Sequence, residues 1–348
     1  MHMIDTWICS KIGLPPDAPL TREDIVSYQL SALHRTLHHA KASSRWYART
    51  LANVDVNGSI GSVSDIKKLP FMGESDLAAH GTEMVCVPAS RVSRIVTLPT
   101  SGTTGEPKRV YFTEADQELM IDYNAHGLKV MTETGDVWLV LMPAERPGSV
   151  GDLIRTGLAR IGCDAIAYGL LPYDGSGDDA ALAFMAERGV NCILATTSSA
   201  ARLASRTKHM EGEVADTIKN SMKGVLLSAE YVPDESVATI EEAWDCEVFE
   251  HYGMTEMGLG GAMACGTHIG YHPREADLLF EIIDPVTGRV LPDGEYGEIV
   301  FTTLTREAMP FIRYRTGDFS RFIPGPCPCG SVLKRIARVA GRGVVKGY

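Results

Sequence analysis

No run of apolar residues in this 348-residue sequence approaches the roughly 20 that a bilayer-spanning helix needs. The first residues, MHMIDTWICSKIGLPPDAPL, carry no basic stretch followed by an apolar segment, so no secretory leader is expected and a cytoplasmic location is. Positive charge is also scarce. Lys and Arg number 33 against 44 Asp and Glu, and the net charge of −11 argues against nucleic acid or an anionic membrane as the main partner. Repeats and low-complexity tracts are absent. The eight cysteines fall mostly singly in apolar segments, as at Cys86, Cys163, Cys192 and Cys246, which excludes a disulfide scaffold and fits a reducing compartment. Only Cys327 and Cys329, in CPCG, stand close together.

What is present is the composition of a globular protein, 45% hydrophobic and 22% charged, long enough to bury a large core in one or two domains. A phosphate ligand on so acidic a chain has to be held by local groups, and PTSGTTGEPKRVYFT (99–113) offers them. Glycines and hydroxyls precede a lysine there. The stretch is not a Walker A loop: Gly102 and Gly105 are two residues apart and Lys108 is followed by Arg109. Its flanks, SRIVTL and RVYFT, are β-branched and apolar, so the loop is expected to join two strands and to aim backbone N–H groups, hydroxyls and one lysine at an anion. A plain Gly/Thr hairpin turn is the alternative.

Residues 22–52 suit amphipathic helix, with Leu30, Leu33, Leu37 and Ala40 on one face and His34, His38 and His39 as solvated helix histidines. KKLPFMGESDL reads as a proline-broken entry into a short helix. Beyond the Gly-rich hairpin, DVWLVLMP, CDAIAYG, NCILATT, GVLLSAE and CEVFEHYG read as buried strands, separated by helical stretches such as GDLIRTGLARI, DDAALAFMAERG, SSAARLASRT and DESVATIEEAW. That alternation predicts an α/β fold, a mainly parallel sheet covered on both faces with ligands at the carboxyl ends of its strands. From about residue 261 the pattern changes to strands without helices (DLLFEIID, GEIVFTT, FIRYRT, FSRFI), a β subdomain.

Polar groups gather where strands end. LLSAEY places Ser228, Ala229 and Glu230 after one strand, and FEHYGMTEMG places His251, Tyr252, Gly253, Thr255 and Glu256 after another. A tight turn with a hydroxyl beside a carboxylate suits a phosphate oxygen together with its Mg²⁺. RYRTGDF sets Arg313, Arg315 and Asp318 about a turn, where a carboxylate suits ribose hydroxyls. Taken alone, each segment reads as an ordinary polar turn.

Taken in order, TSGTTGEPK, YGMTE and YRTGD resemble the successive core motifs of the adenylate-forming superfamily of acyl-CoA synthetases. LHHAKASSRWYARTL, IKKLPFMGESDL, GYHPREADLLFEIID and GEIVFTTLTREAMPFIRYRTGD resemble its phenylacetate–CoA ligase-like branch, over about residues 25–342. The resemblance implies an α/β AMP-binding core over 1–260, including the N-terminal helical region, and a β subdomain over 261–348. It implies that Ser101, Gly102, Thr103, Thr104, Gly105 and Lys108 wrap the β- and γ-phosphates of ATP. Ser228, Ala229 and Glu230 lie along adenine, with Tyr252 and Gly253 beside the base. Thr255 meets the α-phosphate, Glu256 holds Mg²⁺, Asp318 binds ribose and Arg342 closes the nucleotide site. The implied chemistry is attack of a carboxylate on the α-phosphorus, with Lys108, Thr255 and Glu256 as the catalytic groups.

The sequence departs from the pattern at its end, where GRGVVKGY puts Val344 at the position of the family's hinge and no lid domain follows. Adenylation is then expected and thioester formation with CoA by this chain alone is in doubt. Alternatives are an acyl-CoA ligase whose lid or acceptor is a separate protein, and a non-catalytic nucleotide- or carboxylate-binding protein. An aromatic acid is the expected substrate and a homodimer is compatible with the branch. Cys265, His272, Cys327 and Cys329 offer the soft and borderline donors of a tetrahedral structural zinc, with His268 as a competing ligand and reduced, metal-free thiols as the other reading.

Overall fold

The structure is a computed structural model that describes residues 3–15, 18–98 and 107–343. Two compact units interleave in sequence. The first comprises residues 1–118, 254–262 and 272–348; the second comprises 119–253 and 263–271. The N-terminal helices therefore group with the C-terminal β segment, not with the α/β section as a boundary near residue 260 implies.

The first unit opens with helices α1 (Met3–Ile12), α2 (Arg22–Ser43), α3 (Arg45–Thr50), α4 (Val56–Ser59) and α5 (Glu74–His80). Helix α2 starts where Thr21 and Asp24 bond each other's backbone N–H groups reciprocally, satisfying two donors that a helix start leaves unpaired. Its buried stripe is Ile25, Gln29, Ala32, Leu33, Thr36, Leu37 and Ala40, so the stripe is turned from the expected one and Leu30 sits at its edge, half-buried. Gln29 takes a core position because its Nε2 donates to the Glu275 carbonyl at 2.9 Å. The three histidines are bonded structural groups: His34 to the Ile60 carbonyl, His38 to Asn57 and His39 to the Glu307 carbonyl.

Strands β1 (Arg94–Leu98) and β2 (Lys108–Phe112) pair antiparallel with Leu98 opposite Lys108, which places Lys108 at the mouth of the Gly-rich loop. Helix α6 (Glu114–Gly127) follows, opened by a Thr113–Asp116 reciprocal cap that the sequence carries as TEAD.

The second unit is the alternating section: β3 (Val137–Val140), α7 (Val150–Arg160), β4 (Asp164–Ala167), α8 (Asp178–Arg188), β5 (Cys192–Ala195), α9 (Thr197–Lys208), α10 (Glu213–Ser221), β6 (Gly224–Leu227), α11 (Asp234–Trp244) and β7 (Glu247–Tyr252). Strands β3 to β7 pair in parallel in the order β4-β3-β5-β6-β7, and β8 (Ala262–Ala264) and β9 (Tyr271–Pro273) extend the sheet. Strands β5 and β6 are buried at every residue, as short strands covered on both faces must be. Leu139, Ile193, Val225 and Val248 of successive strands form one core with Leu182, Leu203, Ile240 and Trp244 of the helices.

Strands β10 (Leu278–Ile283), β11 (Gly297–Thr303), β12 (Tyr314–Ser320) and β13 (Gly341–Arg342) form a second, wholly antiparallel sheet in that order. The segment expected as two strands about a turn is one strand. Gly317 adopts φ +74°, the pairing register shifts opposite Glu298 and Val300, and the Glu298 carboxylate accepts from the Gly317 N–H at 3.1 Å. A β-bulge takes the place of the turn and re-aims Asp318.

Candidate active site

In the first unit a cavity of about 780 Å³ is lined by Glu74, Lys108, Met254, Tyr314, Gly317 and Arg342, among others. Lys108 projects from the first residue of β2 and is 8% exposed. Its Nζ lies 3.2 Å from Glu74 Oε1 and donates to Glu256 Oε1 at 3.5 Å. Glu256 sits in a single 3-10 turn, Thr255–Met257, and is 2% exposed. Burying a carboxylate demands partners, and Tyr314 supplies a second one: its hydroxyl donates to Glu256 Oε1 at 3.1 Å. Burial, together with the Glu256 charge, pushes the Tyr314 hydroxyl well above its ordinary pKa, so it remains a donor at any working pH. The turn itself is anchored from behind. Arg274, fully buried, donates from Nη2 to the Met257 carbonyl at 2.9 Å and pairs with Asp277 at 2.8 Å. Thr255 opens the turn and is half-buried.

Asp318 lies on β12 directly opposite Arg342 of β13, whose Nε donates to Asp318 Oδ1 at 2.9 Å. The structure thus brings Lys108, Glu256, Asp318 and Arg342 into one unit, with Lys108 and Arg342 on the cavity wall and Glu256 and Asp318 buried behind them as their bonded partners. Ser101, Gly102, Thr103, Thr104 and Gly105 lie outside the described residues.

The second unit holds the other expected contacts at the carboxyl ends of its strands. Ser228 follows β6, and its Oγ is 3.2 Å from His251 Nδ1 at the end of β7. Ala229 is held at φ +69°, a conformation that costs a non-glycine residue about 1–3 kcal/mol and that clusters at ligand-binding turns. Glu230 accepts from the Ser198 N–H and hydroxyl at 2.8 and 2.9 Å, so its carboxylate is tied to the start of α9. Tyr252 closes β7, buried, with Gly253 after it.

Of the four zinc candidates, His272, Cys327 and Cys329 belong to the first unit, with their donor atoms within 4.8 Å of one another. Cys329 Sγ lies 3.3 Å from His272 Nε2, while His272 Nδ1 is 3.1 Å from the Lys334 carbonyl. A proton on Nδ1 bonded to that carbonyl leaves the Nε2 lone pair toward the thiols, the arrangement of a metal-binding histidine. The S and N donors fit zinc. Cys265, buried, follows β8 in the second unit. His268, the competing ligand, stacks on Phe249 with ring centroids 4.9 Å apart. Burial pushes the Cys86, Cys192 and Cys246 thiols up to about 12, so they stay protonated and weakly nucleophilic.

Among the cavity residues that sequence reasoning did not single out are Tyr314 and Glu74. Tyr314 was legible as the tyrosine of the YRTGD motif. Glu74 carries no signal, being one exposed glutamate at the start of a short helix.

The profile of the AMP-binding enzymes matches residues 48–305, about three quarters of the sequence. The chain belongs to the AMP-binding enzyme family. Within it, the chain is 31% identical to the phenylacetate-coenzyme A ligase of Pseudomonas putida over 335 residues, 94% of this chain and 73% of that protein. It is 29% identical to the ligase of the same name from Thermus thermophilus, over 93% of this chain and 71% of that protein. These place it in the phenylacetate–CoA ligase-like branch of the adenylate-forming enzymes. Among solved structures, an open conformation of 2-hydroxyisobutyryl-CoA ligase with 2-HIB-AMP and CoA superimposes with a TM-score of 0.82 at 21% identity, covering 94% of this chain and 72% of that one. That likeness shows the adenylate-forming fold, a helix-covered parallel sheet with an antiparallel β subdomain.

Proposed function

We propose that this enzyme activates a carboxylic acid with ATP, forming an acyl-adenylate and releasing pyrophosphate. The observation that carries the reading is the charge arrangement of the first unit. A lysine, a buried carboxylate held by a tyrosine, and an Asp–Arg pair are what a nucleoside triphosphate with its divalent cation requires.

An oxygen of the acid's carboxylate attacks the α-phosphorus, and the bond to the α,β-bridging oxygen breaks. That bond's electrons leave with pyrophosphate, so no proton has to move. Catalysis then rests on position and charge. Lys108 neutralises the leaving phosphates from its buried seat on β2, and Thr255 binds the α-phosphate. Glu256, an oxygen ligand of the kind Mg²⁺ prefers, holds the cation, which when bound neutralises phosphate charge. Tyr314 fixes which way that carboxylate faces. Asp318 accepts the ribose hydroxyls while Arg342 lies beside them. The Ser228–Ala229–Glu230 turn, Tyr252 and Gly253 take the adenine, and Ser101 to Gly105 complete the phosphate cradle.

An aromatic acid is the proposed substrate, from the activity that gives the branch relatives their name, with CoA as the acceptor of the acyl group. We propose a structural zinc on Cys265, His272, Cys327 and Cys329. Incubation with ATP, Mg²⁺ and a panel of aryl and alkyl acids tests the reading by its products. Acyl-adenylate and pyrophosphate are expected only when an acid is present; ADP and phosphate would contradict it.

A further inference from the structure

Lys108 is shared by two carboxylates, and they are not equivalent. The Glu256 side chain is 2% exposed and fixed by Tyr314, whereas the Glu74 side chain is 45% exposed at the start of α5. The Glu74 backbone is set firmly, because Asp76 Oδ2 accepts from the Gly73 N–H at 2.9 Å and fixes the turn into the helix. Its side chain is the solvent-exposed member of the trio. Two carboxylates and one ammonium carry a net charge of −1, with Glu74 and Lys108 on the wall of the cavity read above as the seat of a triphosphate and Glu256 buried beside it. A fixed negative charge there opposes the ligand, while one that can withdraw to solvent does not.

Resting on the reading of this cavity as the ATP site, we infer that Glu74 is a positioning residue that occupies Lys108 before nucleotide arrives and yields it to the β- and γ-phosphates. While the cavity lacks phosphate, Glu74 holds the ammonium extended beside Glu256, so the lysine need not be ordered when ATP enters. As the phosphates arrive they outcompete a half-exposed carboxylate, whose ion pair is worth little in solvent, and Glu74 turns outward.

Calorimetry of ATP·Mg²⁺ and of AMP on the whole chain tests this with Glu74→Gln, Lys108→Ala and the double variant. Glu74→Gln removes the competitor and keeps the shape. ATP should bind about five-fold more tightly, the size of one half-exposed ion pair, and AMP, which lacks the β- and γ-phosphates, by less than about two-fold. In the Lys108→Ala background the same substitution should change ATP affinity by less than about two-fold, because the effect runs through the lysine. Glu74→Asp, which keeps the charge, should stay close to wild type. A gain of equal size without Lys108 would show simple repulsion from a fixed charge and overturn the inference. Unchanged or weaker ATP binding by Glu74→Gln, with wild type binding ATP, would overturn it alone. Wild-type protein that binds no ATP would overturn the reading of the cavity and this inference with it.

Discussion

Asp318 and Arg342 face each other across strands β12 and β13, joined by a 2.9 Å hydrogen bond, with the arginine side chain 63% exposed. The Asp318 side chain is only 10% exposed, but with its partner in water the ion pair itself contributes about 0–1 kcal/mol to stability, so its value lies in what it binds. Asp318→Ala should weaken ATP and AMP alike, by about ten-fold for two lost ribose hydrogen bonds, with melting temperature nearly unchanged. Titration calorimetry with both nucleotides checks it; a loss confined to ATP would place Asp318 at the phosphates instead.

Lys108→Ala should behave in the opposite way. The charge lost is the one proposed to face the β- and γ-phosphates, so ATP affinity should fall several-fold more than AMP affinity. Equal losses for the two nucleotides would remove Lys108 from the leaving-group side of the site.

Glu256→Gln keeps the volume and the acceptor for the Tyr314 hydroxyl but removes the charge that would hold the cation. The rate with saturating Mg²⁺ should fall at least ten-fold, equivalent to about 1.4 kcal/mol of transition-state stabilisation. Because the residue is buried, the conservative replacement matters: Glu256→Ala would leave Lys108 and Tyr314 without this partner and confound the rate with unfolding.

Much of this was legible in the sequence, for identifiable reasons. Strands β3, β5 and β6 stood out because both their faces are buried, which compresses them to short apolar runs between amphipathic helices, whereas β4 at the sheet edge is partly exposed. The groups proposed to face the nucleotide lie in contiguous segments, so their order along the chain marked them as candidates. Gly317 did not reveal its role: the same Gly-Asp dipeptide makes a turn or a bulge, and pairing with Glu298 across the sheet decides it. Gln29 could not be placed in the core from the sequence because its partner is a carbonyl 246 positions away. Glu74 reaches Lys108 only through tertiary folding, and no local pattern marks it.

The cysteine–histidine cluster predicts a metal content. Purified protein should carry about one zinc per chain, and Cys329→Ser should lower both zinc content and thermal stability, since binding free energy of a structural zinc is folding free energy. His272 should be as sensitive as the cysteine, because its Nε2 is the nitrogen facing Cys329. Elemental analysis of protein prepared without chelators that finds no zinc would leave the cluster as reduced thiols.

The central claim is adenylation, and isotope exchange between ATP and pyrophosphate measures it most directly, because it needs the acyl-adenylate to form and reverse but needs no acceptor. Labelled pyrophosphate should enter ATP only when a suitable carboxylic acid is present, aryl acids foremost, and this exchange should drop at least ten-fold in Glu256→Gln. Protein that binds ATP·Mg²⁺ yet catalyses no exchange with any acid would contradict the account and leave a nucleotide-binding protein in its place.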